Sequence, residues 1–157
     1  MRACVQRVSS ASVALVEENG RISGQIERGF LVLLGVGVAD QEADALYLAK
    51  KIAQLRVFDD QDGRMNLNLS QVDGKVLVVS QFTLYADCVK GNRPSFTAAA
   101  LPQDANRLYR LFITELNRLG IQTEEGVFQA NMAVRLVNDG PVTILLDSIN
   151  RAQNRKR

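Results

Sequence analysis

The chain has 157 residues and not one histidine. That absence excludes Ser-His-Asp and Cys-His catalysis and histidine-ligated zinc. It also removes the side chain most often used as a general base near neutral pH. Any hydrolysis must therefore take its base from Asp, Glu, Lys, water or the substrate itself. Cysteine is scarce: Cys4 and Cys88 are the only two, too few for a disulfide framework or a four-thiolate zinc site. Long apolar runs are missing too, since none approaches the roughly 18 residues of a membrane span. The start, Met1-Arg-Ala-Cys-Val-Gln-Arg7, is too polar for the core of a signal peptide. The expectation is a cytoplasmic protein with no membrane partner.

What is present is ordinary for a globular domain. The chain is 46% hydrophobic and 23% charged, enough for one domain with a real core. The net charge of +2 says little about partners, because a nucleic-acid binder gathers its Lys and Arg on one face. No repeat, linker or second domain is visible.

Arg2 to Val8 alternates loosely and predicts a strand. Val13 to Val16 and Arg21 to Ile26 flank Glu17-Glu-Asn-Gly20, and Asn-Gly between apolar runs predicts a hairpin. Phe30 to Val38 is almost wholly apolar, the pattern of a central strand buried on both faces. Its Gly35-x-Gly37 lacks the third glycine of a dinucleotide fingerprint. Asp40 stands where a helix cap belongs, and Ala45, Leu48, Ala49, Ile52 and Leu55 predict a helix over 41–55. Phe58-Asp-Asp-Gln-Asp-Gly63 reads as a solvated turn, since its aspartates lack the spacing and closing Glu of an EF-hand. Met65 to Val72 and Lys75 to Ser80 flank Asp73-Gly74, a second hairpin signal. The polar loop Asp87 to Pro94 carries Lys90 and Arg93, which either meet phosphate or are merely solvated. Pro102 marks a helix start, Leu108, Leu111, Phe112, Glu115 and Leu119 its apolar face, and Gly120 its end. Val127 to Met132 leads into another strand, and Val142 to Leu146 is the last.

Two stretches carry chemistry. Val76 to Val79 delivers Ser80-Gln81-Phe82-Thr83 to a strand end, where open α/β sheets place their sites. This stretch offers two hydroxyls, a carboxamide, an aromatic face and successive backbone N–H groups of the kind that form oxyanion holes. Thr83 is a candidate nucleophile, but no base is visible to activate it; outward-facing strand residues are the plainer explanation. The second stretch is Asn138-Asp139-Gly140-Pro141 between two apolar runs. Gly140 accepts backbone angles closed to other residues, and Pro141 fixes φ and donates nothing. Either an ordinary hairpin turn or a rigid tip presenting bare carbonyls fits.

Six segments in order resemble the D-aminoacyl-tRNA deacylases, also called D-Tyr-tRNA deacylases. They are Met1-Arg-Ala-x-Val-Gln-Arg-Val8, Leu31-Val-Leu-Leu-Gly35, Met65-Asn66, Val79-Ser-Gln-Phe-Thr-Leu-Tyr-Ala86, Arg93-Pro-Ser-Phe96 and Val137-Asn-Asp-Gly-Pro-Val-Thr143. The resemblance spans 1–148 as one domain and leaves 149–157 as a basic tail, expected to be flexible. Cys88-Val89, Asn131 and Arg135 depart from the family pattern.

The resemblance implies an α/β fold: a single compact domain of mixed β-sheets and two main helices, acting as a homodimer. It implies hydrolysis of the ester joining a D-amino acid, or glycine mischarged on tRNA-Ala, to the tRNA 3′ end, with no cofactor and no metal. Ser80, Gln81, Phe82 and Thr83 would form the catalytic stretch. Phe82, Phe128 and Met132 would hold the terminal adenine or line the pocket, with Asn138 in the substrate-binding set. The terminal ribose 2′-OH would assist catalysis. Gly140 and Pro141, joined by a cis bond, would enter the partner subunit's pocket and exclude an L side chain. The physics is consistent, because D and L side chains are equally hydrophobic and only a steric block separates them. Two alternatives remain: a non-catalytic dimeric binder of aminoacyl or nucleotide ends, and a metal-dependent hydrolase using Asp59, Asp60 and Asp62, which EDTA would inactivate.

Overall fold

The structure is a computed structural model and describes residues 1–151; the tail expected to be flexible falls mostly at 152–157, outside the described residues. Its spine is a 14-residue strand, β1 (Arg2–Leu15). Through a 3₁₀ turn with Asn19 and Gly20 at positive φ, β1 folds back onto β2 (Arg21–Ile26) as the predicted antiparallel hairpin. The two strands expected at Arg2–Val8 and Val13–Val16 are thus one, because the intervening residues also pair across the sheet.

β3 (Gly29–Gly35) is central as expected: it lies antiparallel to β1 and parallel to β6 (Lys75–Ser80). The sheet runs β2-β1-β3-β6-β7, with β7 being Thr123–Glu125, and β8 (Met132–Asp147) joins the other side of β1. Side chains sort with the strand period of two. Phe30, Val32, Leu34, Val76 and Val78 face the helices, while Leu31, Leu77 and Val79 face a second, smaller core. A Cβ on Gly24 would lie 2.7 Å from the Glu125 carbonyl oxygen, so the sheet curls until β2 meets β7.

Helix α1 (Glu42–Ala53) follows β3, and α2 (Pro102–Arg118) connects β6 to the parallel β7. Pro102 opens α2 and Gly120, at φ +82°, follows its end. Leu108, Tyr109, Phe112, Ile113 and Leu116 of α2 join Leu48, Ala49 and Ile52 of α1 in the main core. Asp40 does not cap α1: the Gln41 N–H donates instead to the Asp44 carboxylate at 2.9 Å.

The hairpin expected at Asp73-Gly74 does not form. Met65–Leu67 (β5) pairs with Phe58–Asp59 (β4), and Ser70–Val72 is a 3₁₀ turn. β6 then aligns with β3 because Val76 to Val79 bury fully only between the two cores. The three-aspartate turn is as expected, with Asp60 accepting from the N–H groups of Asp62 and Arg64 and from the Asn66 amide. The Arg64 N–H foremost, then the other two, hold the Asp60 carboxyl below its ordinary value. No helix is long and apolar enough to cross a membrane among the described residues.

Phe112 is fully buried where α2 meets the sheet and α1. Phe112→Ala is expected to cost about 3–5 kcal/mol, measured by urea denaturation.

Candidate active site

β6 ends at Ser80, and Gln81 makes the last ladder contact, its N–H donating to the Leu34 carbonyl at 2.8 Å. The chain then winds into a 3₁₀ turn, Phe82–Tyr85. The first N–H groups of such a turn have no acceptor within it, so those of Phe82 and Thr83 are left without a partner inside the turn. The turn borders a cleft of about 660 Å³ whose walls include Ser80, Gln81, Phe82, Phe96, Phe128, Asn131, Met132 and Val134. Phe82 and Phe96 meet edge to face at 5.0 Å between centroids. Phe128, also in the lining, packs against Tyr109, 5.9 Å away, whose hydroxyl donates to the Val78 carbonyl at 3.0 Å. Burial, then the charge of Glu125, pushes that hydroxyl well above its ordinary pKa, so it remains a donor.

Among the described residues, none lining the cleft is ionisable: its walls are aliphatic, aromatic, hydroxyl and carboxamide. Thr83 lies just outside. It is exposed, and its hydroxyl accepts a hydrogen bond from the Gln81 carboxamide. A cleft of this kind has no protein base within its walls and no carboxylate, thiolate or imidazole to hold a metal. Asp59 instead faces Arg7, at 3.3 Å.

The Asn138–Pro141 stretch is not a hairpin. The apolar runs on either side of it belong to one strand and pair with the same neighbour: Thr143 opposes Gln6, and Asn138 opposes Val8. Residues 139–142 bulge out opposite Arg7 alone. The Gly140–Pro141 bond is cis, as the family resemblance implies. Asn138 closes the bulge from within: its Oδ1 accepts from the Val142 N–H at 3.1 Å and its Nδ2 donates to Thr143 Oγ1 at 3.0 Å. Arg7 braces the bulge from below, donating to the Asp139 carbonyl at 3.0 Å and the Val57 carbonyl at 2.7 Å. Its side chain is only 8% exposed, and its charge is met by Asp59 and Asp139. At φ +130° Gly140 has a conformation L residues rarely adopt, and a Cβ there would sit 3.1 Å from Arg7 Nη2.

Thus the structure gathers Ser80, Gln81, Phe82, Phe128 and Met132 around one cleft, with Thr83 at its edge. It sets Asn138, Gly140 and Pro141 apart on the outer strand. Of the three departures, Asn131 lies in the cleft wall, Arg135 is exposed on β8, and Cys88 is exposed in the Asp87–Ser95 loop with Lys90 and Arg93. Sequence reasoning gave no role to Arg7 or Phe96. Their only signal was membership of conspicuous segments, since neither the burial of a strand arginine nor a cross-loop aromatic contact is written in local spacing.

The fold and cleft define a small α/β protein with a cleft of carboxamide, hydroxyl and apolar groups at the end of a parallel strand. The D-Tyr-tRNA(Tyr) deacylase family matches residues 4–147. The D-aminoacyl-tRNA deacylase of Koribacter versatilis is 61% identical over 148 residues, covering 94% of this chain and 97% of its own. That of Roseiflexus castenholzii is 56% identical over 157 residues, covering 100% of this chain and 98% of its own. A solved structure titled c-Myc DNA Unwinding Element Binding Protein superposes with a TM-score of 0.86 at 37% identity, covering 94% of this chain and 98% of that one. The chain belongs to the D-Tyr-tRNA(Tyr) deacylase family, and its enzyme class is that of hydrolases acting on the D-aminoacyl-tRNA ester.

Replacing Arg7 removes a charged donor from two carbonyls, and hydrogen bonds to charged groups are worth about 1.5–3 kcal/mol. Arg7→Ala is expected to lower stability by about that amount and to speed amide exchange within 139–142, read by urea denaturation and hydrogen-exchange mass spectrometry.

Proposed function

We propose that this chain is a homodimeric editing enzyme that frees tRNA from D-amino acids and from mischarged glycine and spares L-aminoacyl-tRNA. The observation that carries the mechanism is the uncharged cleft. With no ionisable side chain in its walls among the described residues, the base for water attack comes from the substrate, and the 2′-OH of the terminal ribose is the candidate. The protein supplies position and oxyanion stabilisation. The main chain of Gln81 to Thr83 faces the ester carbonyl, Phe82 and Phe128 offer aromatic faces to the adenine, and Met132 closes the pocket. Thr83 serves as a positioning residue, consistent with its exposure and its bond to the Gln81 carboxamide.

The chiral filter is the Gly140–Pro141 tip. Val134 lines the cleft, and Gly140 lies further along the same strand. At about 3.3 Å per extended residue the separation approaches 20 Å. A tip that far from its own cleft acts on that of a second copy. Two features of β8 suit such pairing: its outer edge has no partner strand among the described residues, and Val137 and Leu145 on it are 57% and 76% exposed. Braced carbonyls that block one direction from the substrate Cα reject an L side chain and leave glycine nothing to clash with.

The direct test is release of labelled amino acid from matched D-Tyr-tRNA, L-Tyr-tRNA and Gly-tRNA. Fast release from D, measurable release from glycine and negligible release from L are expected. Equal D and L rates would overturn the role of the tip. Stable binding without release would favour the binding-only alternative. A second measurement separates the catalytic readings. Thr83→Ala is expected to stay within about tenfold of the parent, whereas losing a true nucleophile costs about 10⁶-fold in kcat. A terminal 2′-deoxyadenosine is expected to lower kcat by about 10²–10⁴-fold, the usual share of acid–base assistance.

A further inference from the structure

The turn that carries the catalytic main chain is weakly held where it leaves the sheet. After the Gln81 N–H it has no ladder contact. Its own closures are Leu84 N–H to the Gln81 carbonyl at 3.3 Å and Ala86 N–H to the Thr83 carbonyl at 3.0 Å. Phe82 is 55% exposed and Thr83 is exposed. A single 3₁₀ turn has poor hydrogen-bond geometry and little stability of its own. At its near end only the Phe82–Phe96 contact and the bond from the Gln81 carboxamide to Thr83 hold it among the described residues, so its far end carries the remaining constraint.

That end is clamped from two sides. Arg2 Nη1 donates to the Leu84 carbonyl at 2.9 Å, its guanidinium lies 4.4 Å from the centroid of the Tyr85 ring, and its Nε donates to Asp147 at 3.1 Å. On the other side the Tyr85 hydroxyl donates to Asp40 Oδ2 at 3.0 Å. The same carboxylate accepts from the Gly37 N–H at 2.6 Å and pairs with the Met1 ammonium at 2.5 Å. The Tyr85 ring presses on Gly37 so closely that a Cβ there would lie 2.6 Å from Cε1. Burial foremost, then the Asp40 charge, raises the hydroxyl above its ordinary value and keeps it a donor. Neither Arg2, Tyr85 nor Asp40 lines the cleft. Asp40, placed by its spacing as a helix cap, is spent on this network instead.

We infer that Arg2 and Tyr85, anchored on Asp147 and Asp40, are positioning residues for ester hydrolysis: they hold the Phe82–Tyr85 turn so that the Gln81–Thr83 main chain faces the scissile carbonyl. The inference rests on the deacylase reading of the cleft. Arginine suits the task because its planar fork donates in two directions while its face stacks on a ring, which a lysine ammonium does not do.

The test is steady-state kinetics on D-Tyr-tRNA for Arg2→Ala, Arg2→Lys, Tyr85→Phe and the double variant Arg2→Ala/Tyr85→Phe. Arg21→Ala serves as a control, since among the described residues the Arg21 side chain pairs with exposed Glu18, away from the turn. A shift of about 1 Å at a reacting group costs on the order of 10²-fold, so Arg2→Ala is expected to lower kcat by about 10- to 100-fold with KM within about twofold. Arg2→Lys should recover part of the loss, Tyr85→Phe should act in the same direction, and the double variant should fall short of the product of the single losses. Thermal melts confirm that each variant is folded at the assay temperature. Folded Arg2→Ala and Tyr85→Phe variants with unchanged kcat would overturn the inference while leaving the deacylase reading intact. So would losses that appear equally in KM or equally in Arg21→Ala. A parent enzyme that releases nothing from D-Tyr-tRNA overturns the deacylase reading and this inference with it.

Discussion

β1 hydrogen-bonds along both edges, and almost everything else hangs from those two rows of contacts. Its first half pairs with β3 on one side and with the end of β8 on the other; its second half pairs with β2 and with the start of β8. Through β3 it places β6, and at the end of β6 stands the Phe82–Tyr85 turn. Through β8 it carries the Gly140–Pro141 bulge, four residues set against the single residue Arg7. One strand therefore fixes the distance between cleft and tip, and that distance is why the tip is proposed to serve a second copy.

The buried Arg7 is the clearest case of electrostatics shaping the architecture. A charge in this setting is tolerable only when paired and fully hydrogen-bonded. Two carbonyls and two carboxylates meet that demand. Holding the arginine thus also holds the bulge above it. The cleft follows the opposite logic, since charge is absent from its walls. Polarity there comes from main chain, hydroxyls and carboxamides. The Phe82–Tyr85 turn is tied at its far end, outside the cleft, by Arg2 on the Leu84 carbonyl and by the Tyr85 hydroxyl on Asp40.

Elements with strong local patterns were legible in the chain. Both helices, the Asn19-Gly20 hairpin and the buried central strand follow from periodicity and turn chemistry. The Ser80–Phe82 stretch was legible as a strand end, and Phe128 and Met132 were placed with it by family resemblance. Asp73-Gly74 misled, because its hairpin signal competes with the burial of Val76 to Val79 beside β3, and burial is worth more than a turn preference. Asn138 to Pro141 carry hairpin chemistry but sit in a bulge, since both flanking runs satisfy their hydrogen bonds on one long partner. Asp40 had the spacing of a cap and was taken instead by Tyr85, Gly37 and the Met1 ammonium.

By itself the sequence determined the histidine-free chemistry, the α/β alternation, the pair of motifs and, through their resemblance, the family. Those properties depend on residue identity and near neighbours, which the chain states directly. Tertiary structure alone decided that β1 is shared by three strands, that Arg7 lies beneath Gly140, and that no ionisable group among the described residues lines the cleft. It alone left the tip outside the walls of its own cleft and set Arg2 against Tyr85. These are contacts between residues tens of positions apart, and they arise only when burial and hydrogen bonding are satisfied over the whole sheet at once.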